Sequence, residues 1–409
     1  MTQRVVITGV GAYSPIGNSW DEIGANLRGL NSGVQHIEAW EEYDGLNTKL
    51  GARVKNFDMP ASFNRKRCRS MGRVAMLATA ASEQALRDAG LLHDPVLKSG
   101  RVGVAYGSST GSTDAITDFA NMLLAKTLDG ITATTYIRMM GHTTPVNIGV
   151  FFGLQGRVIT TSSACTSGSQ GIGYAYEAIR AGAQDIMLAG GAEELCPTEA
   201  AVFDTLYATS TRNDDPTSSP RPFDRDRDGL VIGEGACTLV LERRDHALAR
   251  GANIYAEIVG FDTNADGAHV TQPSPGTMQR VQEMALSNAG LSPDAIGYVS
   301  AHGTATDRGD VAESLATHNV FGENMPISSI KSYMGHTLGA CGALESWLAV
   351  EMMNCGWFAP TINLDNLDPE CAALDYIRGD GREMDVEYVM NNNFAFGGIN
   401  TSLIFRRHV

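Results

Sequence analysis

The chain has 409 residues, of which 43% are hydrophobic and 19% charged, and it contains 45 glycines but no low-complexity run. These proportions exclude disordered and fibrous proteins, and the length fits two domains or one duplicated architecture. The formal net charge of −15 argues against general nucleic-acid binding, because neutralising phosphate requires clustered lysine and arginine.

Cysteine usage and hydrophobicity predict a soluble protein of a reducing compartment. The seven cysteines are odd in number and show no CxxC pairing, so neither a disulfide framework nor a zinc site is predicted, and the cytoplasm fits best. The first 17 residues lack the basic region, long apolar core and cleavage site of a signal peptide. Two uncharged windows, 139–156 and 158–176, are too rich in Gly, Ser, Thr and Gln for a membrane span.

Strand and helix patterns alternate along the whole chain. Strands are predicted at 5–8, 101–106, 158–161, 185–189, 236–242, 255–262, 298–301, 327–331, 386–391 and 401–406. Helices are predicted at 20–27, 70–89, 245–250, 276–289, 309–319 and 337–353, in a Met-rich region that ends near 153, and between Cys165 and a stop at Gly182. This alternation predicts the α/β class with a largely parallel sheet, in two repeat-like halves that meet near 250–256.

Two motifs suggest bound cofactors and both are rejected. The turn at 9–11 begins like a dinucleotide-binding fingerprint, but Ser14 stands where the third glycine is required. The stretch 224–235 spaces three aspartates as a calcium loop does. Gly235 stands where that loop needs its bidentate glutamate, and the interleaved arginines oppose a cation. The sequence therefore predicts neither a metal nor a nucleotide cofactor.

The stretch 157–173 places a cysteine between a strand and a helix. The segment 158–161 is β-branched and apolar, as a short buried strand should be, and the small residues after it open a helix. Cys165 therefore faces the positive end of the helix dipole, which favours thiolate and predicts a pKa below the value of about 8.5 for free cysteine. A buried structural cysteine is the competing interpretation, but the surrounding glycines and serines favour close approach to a ligand.

Three other segments at strand ends carry groups suited to acyl chemistry. His302 leaves a strand into a Gly- and Thr-rich loop, Lys331 and His336 lie before a helix, and a glycine turn at 394–398 joins two strands. Because a helix N-terminus disfavours imidazolium, we expect His336 to stay neutral and to donate an N–H to a carbonyl or enolate oxygen. His302 is placed to do the same from the opposite side. The remaining histidines are predicted to be structural.

The charged residues near these segments have open roles. Asp310 and Glu313 are spaced as a capping box, which predicts a capping role for Asp310, while Glu313 is also available to orient a catalytic group. Lys331 is either a solvated charge at a strand end or the partner of a substrate carboxylate or of Glu313.

Taken in order, these motifs resemble the β-ketoacyl-acyl carrier protein synthases of the KAS I and KAS II type, which belong to the thiolase superfamily. The matching motifs are Ser163-Ala-Cys165-Thr-Ser, Pro222-Phe-Asp-x-Asp-Arg-Asp-Gly, His302-Gly-Thr-Ala-Thr-Asp, Lys331-x4-His336-Thr-x-Gly-Ala and Asn393-Phe-Ala-Phe-Gly-Gly-x-Asn400. The resemblance covers essentially the whole chain. It implies a thiolase-like, duplicated fold with α/β/α/β/α layers and mixed, largely parallel sheets, in which residues 1–255 carry the cysteine and 256–409 the histidines.

The resemblance also implies a reaction. Cys165 is the residue that accepts an acyl group, His302 and His336 flank a malonyl thioester, and Lys331 and Glu313 form a supporting pair. The malonyl group loses carbon dioxide, and its enolate attacks the acyl-cysteine in a decarboxylative Claisen condensation, which lengthens the chain by two carbons. No metal or redox cofactor is required, because the substrates are carried on the phosphopantetheine of acyl carrier protein.

Further residues match positions that bind and enclose the substrate. Thr304 and Thr306 match threonines that hold the phosphopantetheine arm. Phe396 matches an aromatic gate whose backbone N–H forms the oxyanion hole together with that of Cys165. Ala395 departs from the family, which usually has glycine there, and it is expected to stiffen the gate loop.

The expected partners are an acyl carrier protein and a second ketosynthase-like chain. Carrier proteins are acidic, and the one dense basic cluster of this chain, with Arg65, Lys66 and Arg69, matches the family's docking position. The alternative for this cluster is a solvated helix start. Pairing as a homodimer, and pairing as a heterodimer with a chain-length-factor subunit in secondary metabolism, both stay open.

Other members of the superfamily fit the sequence less well. A thiolase needs a second, late cysteine as its base, and the last cysteine here is Cys371, outside the motifs above. A KAS III or chalcone-synthase type enzyme would have asparagine at His336. A non-catalytic partner chain would lack Cys165.

Overall fold

Strands alternate with helices, as the sequence predicts, in a computed structural model that describes residues 2–408. The strands are β1 Val5–Tyr13, β2 Val34–His36, β3 Leu50–Ala52, β4 Val102–Gly107, β5 Val158–Thr160, β6 Ile186–Glu193, β7 Ile232–Gly233, β8 Gly235–Arg243, β9 Ala256–Ala265, β10 Ile296–Ser300, β11 Pro326–Ser328, β12 Trp357–Phe358, β13 Asp375–Tyr376, β14 Arg382–Glu383, β15 Tyr388–Ala395 and β16 Ile399–Arg407. The helices are α1 Trp20–Arg28, α2 Arg65–Cys68, α3 Arg73–Asp88, α4 Thr113–Ala125, α5 Ala133–Met139, α6 Thr143–Phe152, α7 Ser167–Arg180, α8 Pro197–Asp204, α9 Arg244–Ala249, α10 Pro275–Ala289, α11 Asp307–Phe321, α12 Lys331–Met334 and α13 Cys341–Cys355.

Eleven of these strands form one mixed sheet in the order β13-β11-β10-β15-β16-β9-β1-β8-β6-β4-β5. Parallel pairs lie toward both edges, where β4 pairs with β5 and β6, and β10 with β11 and β15, while the strands between them are antiparallel. The strands before residue 255 lie on one side and those after it on the other, joined where β1 pairs with β9. The sheet is therefore mixed, as predicted, while the boundary between 1–255 and 256–409 stays a prediction.

Two buried helices, α7 and α13, lie between the two sides of this sheet. Helix α7 contacts β4 and β6 on one side and β9 and β16 on the other, and α13 contacts β8 and β15. Helix α3 packs on β1 and β8, and α10, backed by α11, packs on β9 and β16. Because β6 and β8 are buried along nearly their whole length, both faces of the sheet are covered. The predicted thiolase-like α/β/α/β/α layering is confirmed.

Glycines let α7 approach its neighbours closely. A Cβ at Gly171 would lie 2.6 Å from the carbonyl oxygen of Gly190 and 2.9 Å from that of Ala105. A Cβ at Gly168 would lie 2.9 Å from the amide nitrogen of Ala343 in α13. The sequence suggested that the small residues here let a ligand approach the backbone. These two glycines instead let α7 approach other backbone segments of the protein.

Two local predictions need correction, and one helix was missed. Strand β5 was expected to be buried, but it forms the edge of the sheet and Val158 is 51% exposed. Lys331 does not end a strand, because β11 stops earlier and Lys331 opens the one-turn helix α12. Helix α8 was not predicted, since its eight residues mix apolar and polar side chains without a clear helical period.

The most buried of the long helices carries charge in its middle. Helix α13 is buried over most of its length but includes Glu345 and Glu351.

Within residues 2–408, no helix is both long enough and apolar enough to cross a membrane.

We expect Gly171→Ala to lower the free energy of unfolding by about 1–3 kcal/mol, because the added methyl group fits only if the backbone of α7 or β6 shifts. Thermal and denaturant unfolding measure this change. Gly149→Ala is the matched control, since this glycine lies inside α6 with no atom within 4 Å of an added Cβ. The control should be stabilised by up to about 1 kcal/mol. Equal stabilities of the two variants would contradict the packing argument.

Candidate active site

Four separate segments converge on one cavity of about 470 Å³. They are the turn before α7, the loop after β10, the turn after α12 and the hairpin between β15 and β16. The cavity walls include seven residues singled out in the sequence, namely Cys165, His302, Thr304, Thr306, Glu313, His336 and Phe396. Groups from both halves of the chain therefore face one space.

Cys165 lies in a short 3₁₀ turn, Ala164–Thr166, between β5 and α7. Ala164 has a φ of +52°, a left-handed conformation that costs free energy for a residue with a Cβ. Hydroxyl groups hold the turn, since Ser167 Oγ donates to the carbonyl oxygen of Ala164 at 2.7 Å and accepts from the backbone N–H of Ser163 at 2.9 Å. The serines around the cysteine thus fix the strained turn that places its thiol in the cavity wall.

Burial dominates the electrostatics of the Cys165 thiol. The residue is 3% exposed, and this burial raises the pKa of the thiol to about 11. The charge of Lys331 and the backbone N–H groups of Phe396 and of Cys165 itself lower the pKa, but by less. The predicted lowered pKa is therefore wrong, because it counted the helix end and neglected the loss of hydration. The two N–H groups beside the sulfur are the pair expected to form an oxyanion hole.

The turn after α12 fixes the tautomer of His336. Its Nδ1 accepts a hydrogen bond from the backbone N–H of Leu338 at 3.3 Å, so the ring proton lies on Nε2. That Nε2 is 3.0 Å from Sγ of Cys165. Burial and then the charge of Lys331 hold the pKa of His336 well below its usual value. The ring is neutral, as predicted, although the cause is burial rather than a helix end.

His302 is held in the same tautomer by a different neighbour. Its Nδ1 lies 3.1 Å from Nζ of Lys331, and because an ammonium group only donates, Nδ1 accepts and Nε2 carries the proton. Burial first, then Lys331 and His336, lower the pKa of His302 well below its usual value. The two imidazole rings are T-shaped with centroids 5.1 Å apart. Two neutral donors therefore line the same cavity.

Lys331 is fully buried and pairs with Glu345, not with Glu313. Its ammonium group donates to Oε1 of Glu345 as well as to His302, and Oε2 of Glu345 accepts from Nδ2 of Asn393 at 2.7 Å. Burial lowers the pKa of Lys331, but the negative charges around it, above all that of Glu345, outweigh this and keep it protonated. The predicted Lys331–Glu313 pair is therefore wrong in its partner, and a solvated Lys331 is excluded by its burial.

Two buried carboxyl groups of α11 hold the loop that carries His302. Glu313 accepts the backbone N–H groups of His302 and Gly303 at 2.7 and 2.6 Å, and burial raises its pKa to about 8. Asp310 accepts the N–H groups of the next two residues of the loop. The predicted capping box is wrong, because α11 begins three residues before Asp310 and neither side chain caps it.

Two threonines and an aromatic pair line the approach to the thiol. The hydroxyl oxygens of Thr304 and Thr306 are 3.0 Å apart, and both residues face the cavity. The ring of Phe396 packs on Phe203 with centroids 4.8 Å apart. Ala395 ends β15 without a positive φ, so the departure from glycine introduces no backbone strain there.

The basic cluster lies on the surface, outside the cavity walls. Arg65, Lys66 and Arg69 are exposed on α2 and just after it. Arg67, which is also exposed, and Arg73 are tied to the protein by hydrogen bonds of their guanidinium groups. Arg65, Lys66 and Arg69 thus form a patch whose charges face solvent.

Sequence reasoning missed two buried residues of the site. Glu345 was recognisable only as a lone carboxylate in the apolar part of a helix. Cys341 directly follows the His336 motif, and its thiol donates to the carbonyl oxygen of Cys165 at 3.2 Å. The side-chain atoms of His302, Cys341 and Glu345 that could bind a metal ion lie within 4.8 Å of one another. The ammonium group of Lys331 is hydrogen-bonded to His302 and Glu345 and already supplies a positive charge there.

Comparison with known proteins agrees with this geometry. Models of the beta-ketoacyl synthase N-terminal and C-terminal domains match residues 2–247 and 255–365. A 3-oxoacyl-[acyl-carrier-protein] synthase 2 of Vibrio cholerae is 39% identical over 99% of both chains. A crystal structure of a beta-ketoacyl synthase from Burkholderia phymatum STM815 is 59% identical with a TM-score of 0.98, and the ishigamide ketosynthase/chain length factor structure is 33% identical with a TM-score of 0.90, each over 100% of both chains. The protein therefore belongs to the beta-ketoacyl synthase family.

Proposed function

We propose that this protein condenses an acyl group held on Cys165 with a malonyl group held on acyl carrier protein, with release of carbon dioxide. The observation that carries the proposal is a buried thiol beside two neutral imidazoles that keep their protons on Nε2. A family relative named 3-oxoacyl-[acyl-carrier-protein] synthase supports the same reaction. The product is a β-ketoacyl carrier two carbons longer.

The first step transfers the acyl group to Cys165. Its sulfur attacks the thioester carbonyl, the bond to the carrier's pantetheine sulfur breaks, and the thiol proton leaves with that sulfur. The negative oxygen formed in between accepts the backbone N–H groups of Cys165 and Phe396. His336 donates rather than accepts beside the sulfur, so it stabilises charge and does not serve as the base.

The second step uses both imidazoles. As the malonyl carboxylate leaves as carbon dioxide, the electron pair of the broken C–C bond moves into an enolate, whose oxygen accepts the Nε2–H groups of His302 and His336. The enolate carbon then attacks the acyl carbonyl on Cys165, and the C–S bond breaks. The thiolate that leaves takes up a proton, which restores the enzyme. Lys331 acts through His302 by keeping Nδ1 unprotonated.

The proposed reaction needs no metal or redox cofactor, because side chains and backbone N–H groups supply every donor. It does require Cys165 to stay reduced. All seven cysteines are free, which supports a reducing cytoplasm as its location.

We expect Cys165→Ala to abolish chain extension, since no other thiol among residues 2–408 lines the cavity. The assay supplies malonyl and acyl carriers and measures carbon dioxide release together with the extended product. Cys355→Ala, at an exposed cysteine outside the cavity, is the control and should keep wild-type activity. Extension retained by Cys165→Ala would contradict the mechanism.

Docking of the carrier is assigned to the patch of Arg65, Lys66 and Arg69. The chain as a whole is acidic, so its net charge repels an acidic carrier at long range. Charges more than about 8 Å apart are largely screened at physiological salt, so a local basic patch can still decide where the carrier binds.

Charge reversal tests this assignment. The double variant Lys66→Glu, Arg69→Glu should raise the KM for the carrier by about tenfold and leave kcat within about twofold, because the patch lies outside the cavity. Arg378→Glu makes the same kind of change at an exposed site after β13 and should leave KM unchanged. An unaltered KM in the double variant would remove the patch from the docking site.

Pairing with a second chain is assigned to the free edge of the sheet. Strand β5 has no partner on its outer side within the described chain, and such edges readily pair with another chain. Apolar side chains stand exposed on β5, at Val158, and on α6, which contacts β5, at Val150. Helix α4, which packs on α5 beside α6, exposes Leu123 and Leu124. An exposed apolar surface of this kind marks an interface. We infer a homodimer, and a heterodimer with a chain-length-factor subunit is the second candidate, favoured by the similarity to the ishigamide ketosynthase/chain length factor structure.

Sedimentation of the purified chain distinguishes the two. A homodimer predicts that the wild type sediments at twice the chain mass and that Leu124→Glu shifts it toward monomer, because a charge would be buried in the interface. A wild type that is monomeric alone would favour the heterodimer instead.

A further inference from the structure

Two buried carboxyl groups near Cys165 take no part in the proposed reaction. The first is Glu193, at the end of β6, which is fully buried. Its Oε2 accepts hydrogen bonds from the backbone N–H and hydroxyl of Ser109 and from the backbone N–H of Gly339, at 2.7, 2.5 and 3.1 Å. Its Oε1 has no hydrogen-bond partner among the described residues.

The second is Glu199, in the first turn of α8, which is 4% exposed. Its Oε1 accepts from the hydroxyl of Thr110 at 3.2 Å, and its Oε2 has no partner in the described part of the chain. The neighbouring Glu194 differs, because its two oxygens accept from Thr113 and Val74. Buried polar atoms are nearly always paired, so two unpaired carboxyl oxygens in one cluster point to a missing partner.

These carboxyl groups lie directly behind the apolar wall of the thiol. Cys165 shares an apolar cluster with residues of α8 and of the turn after His336, namely Ala200, Phe203 and Leu338. Glu199 lies one helical turn before Phe203 and therefore on the same face of α8. Gly339, which binds Glu193, follows Leu338. The charge of Glu193 is also close enough to raise the pKa of Cys165.

The position of the pantetheine arm sets the direction of an acyl chain. The arm is expected on the side of the cavity with Thr304 and Thr306, so a chain bound to Sγ of Cys165 has to leave on the other side. That side is the apolar wall formed with Phe203, and beyond it along α8 lies Glu199.

We propose that Glu199, Thr110 and Glu193 form the far end of the acyl-binding site, which selects an acyl chain bearing a hydroxyl or keto oxygen over a plain hydrocarbon chain. The inference rests on the proposed function, since it assumes that Cys165 carries an acyl group. An oxygenated chain supplies the partner that the two free carboxyl oxygens lack. A hydrocarbon chain would leave them unpaired in an apolar space, which is unfavourable.

The protonation of the pair suits both kinds of oxygen. Burial, and then the charge of Glu193, raise the pKa of Glu199 well above its usual value, and burial raises that of Glu193 to about 7. Protonated carboxyl groups are therefore present at neutral pH. A protonated carboxyl donates to a keto oxygen, and a hydroxyl pairs with the carboxyl in either state because it both donates and accepts.

Loading of Cys165 tests the inference on the wild type. Carriers are charged with saturated acyl groups of several lengths and with their hydroxy and keto analogues of equal length, and acylation of Cys165 is followed by mass spectrometry. We expect at least one oxygenated chain to load about tenfold faster than its saturated counterpart. Equal rates throughout would mean that water satisfies the carboxyl groups, and would overturn the inference while leaving the proposed function intact. No loading from any carrier would overturn both.

Variants locate the preference in the cluster. Glu199→Leu should abolish the discrimination or turn it in favour of saturated chains, and Glu199→Gln, which keeps hydrogen-bonding atoms, should retain part of it. Val202→Ser changes an exposed residue of the same helix and should leave it unchanged. A preference that survives in a folded Glu199→Leu, checked by its melting temperature, would also overturn the inference.

Discussion

One buried ammonium group fixes the tautomer of His302 and adds to the effect of burial on the protonation of the site. Lys331 is fully buried against Glu345, and the pair is kept because it is satisfied on both sides, by His302 at the ammonium and by Asn393 at the carboxylate. Burying an ion pair is costly, and it persists only when its remaining hydrogen-bonding groups are used. Burial is the largest cause of the low pKa of both imidazoles, and the charge of Lys331 lowers these pKa values further. The same charge offsets only part of the rise that burial causes in the pKa of the Cys165 thiol.

The tautomers of the two imidazoles make the site one that stabilises a negatively charged oxygen rather than one that removes protons. In a nucleophile–base pair the histidine nitrogen beside the nucleophile must be free to accept. Here Lys331 occupies Nδ1 of His302 and the Leu338 N–H occupies Nδ1 of His336, so both rings present only a donor. A raised thiol pKa is compatible with this chemistry, because transfer of an acyl group from a thioester to a thiol, with the thiol proton passing to the leaving sulfur, needs no net deprotonation.

The sequence predicted the parts of the fold and site that depend on local pattern. Long helices such as 276–289 follow from apolar periodicity, and Cys165 follows from a strand, small residues and a helix. What it could not predict depends on contacts between distant residues. The helical period of α13 gives no sign that Glu345 reaches Lys331, and the strand pattern of 158–161 cannot distinguish an edge from the centre of a sheet. The prediction of a lowered pKa for the Cys165 thiol was wrong for the same reason, since burial is a property of the assembled fold.

The distance between the two halves of the site is set by small residues where α7 meets α13. A Cβ at Gly168 would meet the backbone at Ala343, and one at Gly342 would lie 2.6 Å from the amide nitrogen of Ser169. On α7 these contacts lie only a few residues after Cys165. On α13 they lie just before Glu345, the residue that pairs with Lys331. Because the helices touch through backbone, their separation has little freedom to adjust. The packing that makes the central layer therefore also fixes how far Cys165 lies from the donors that the second half supplies.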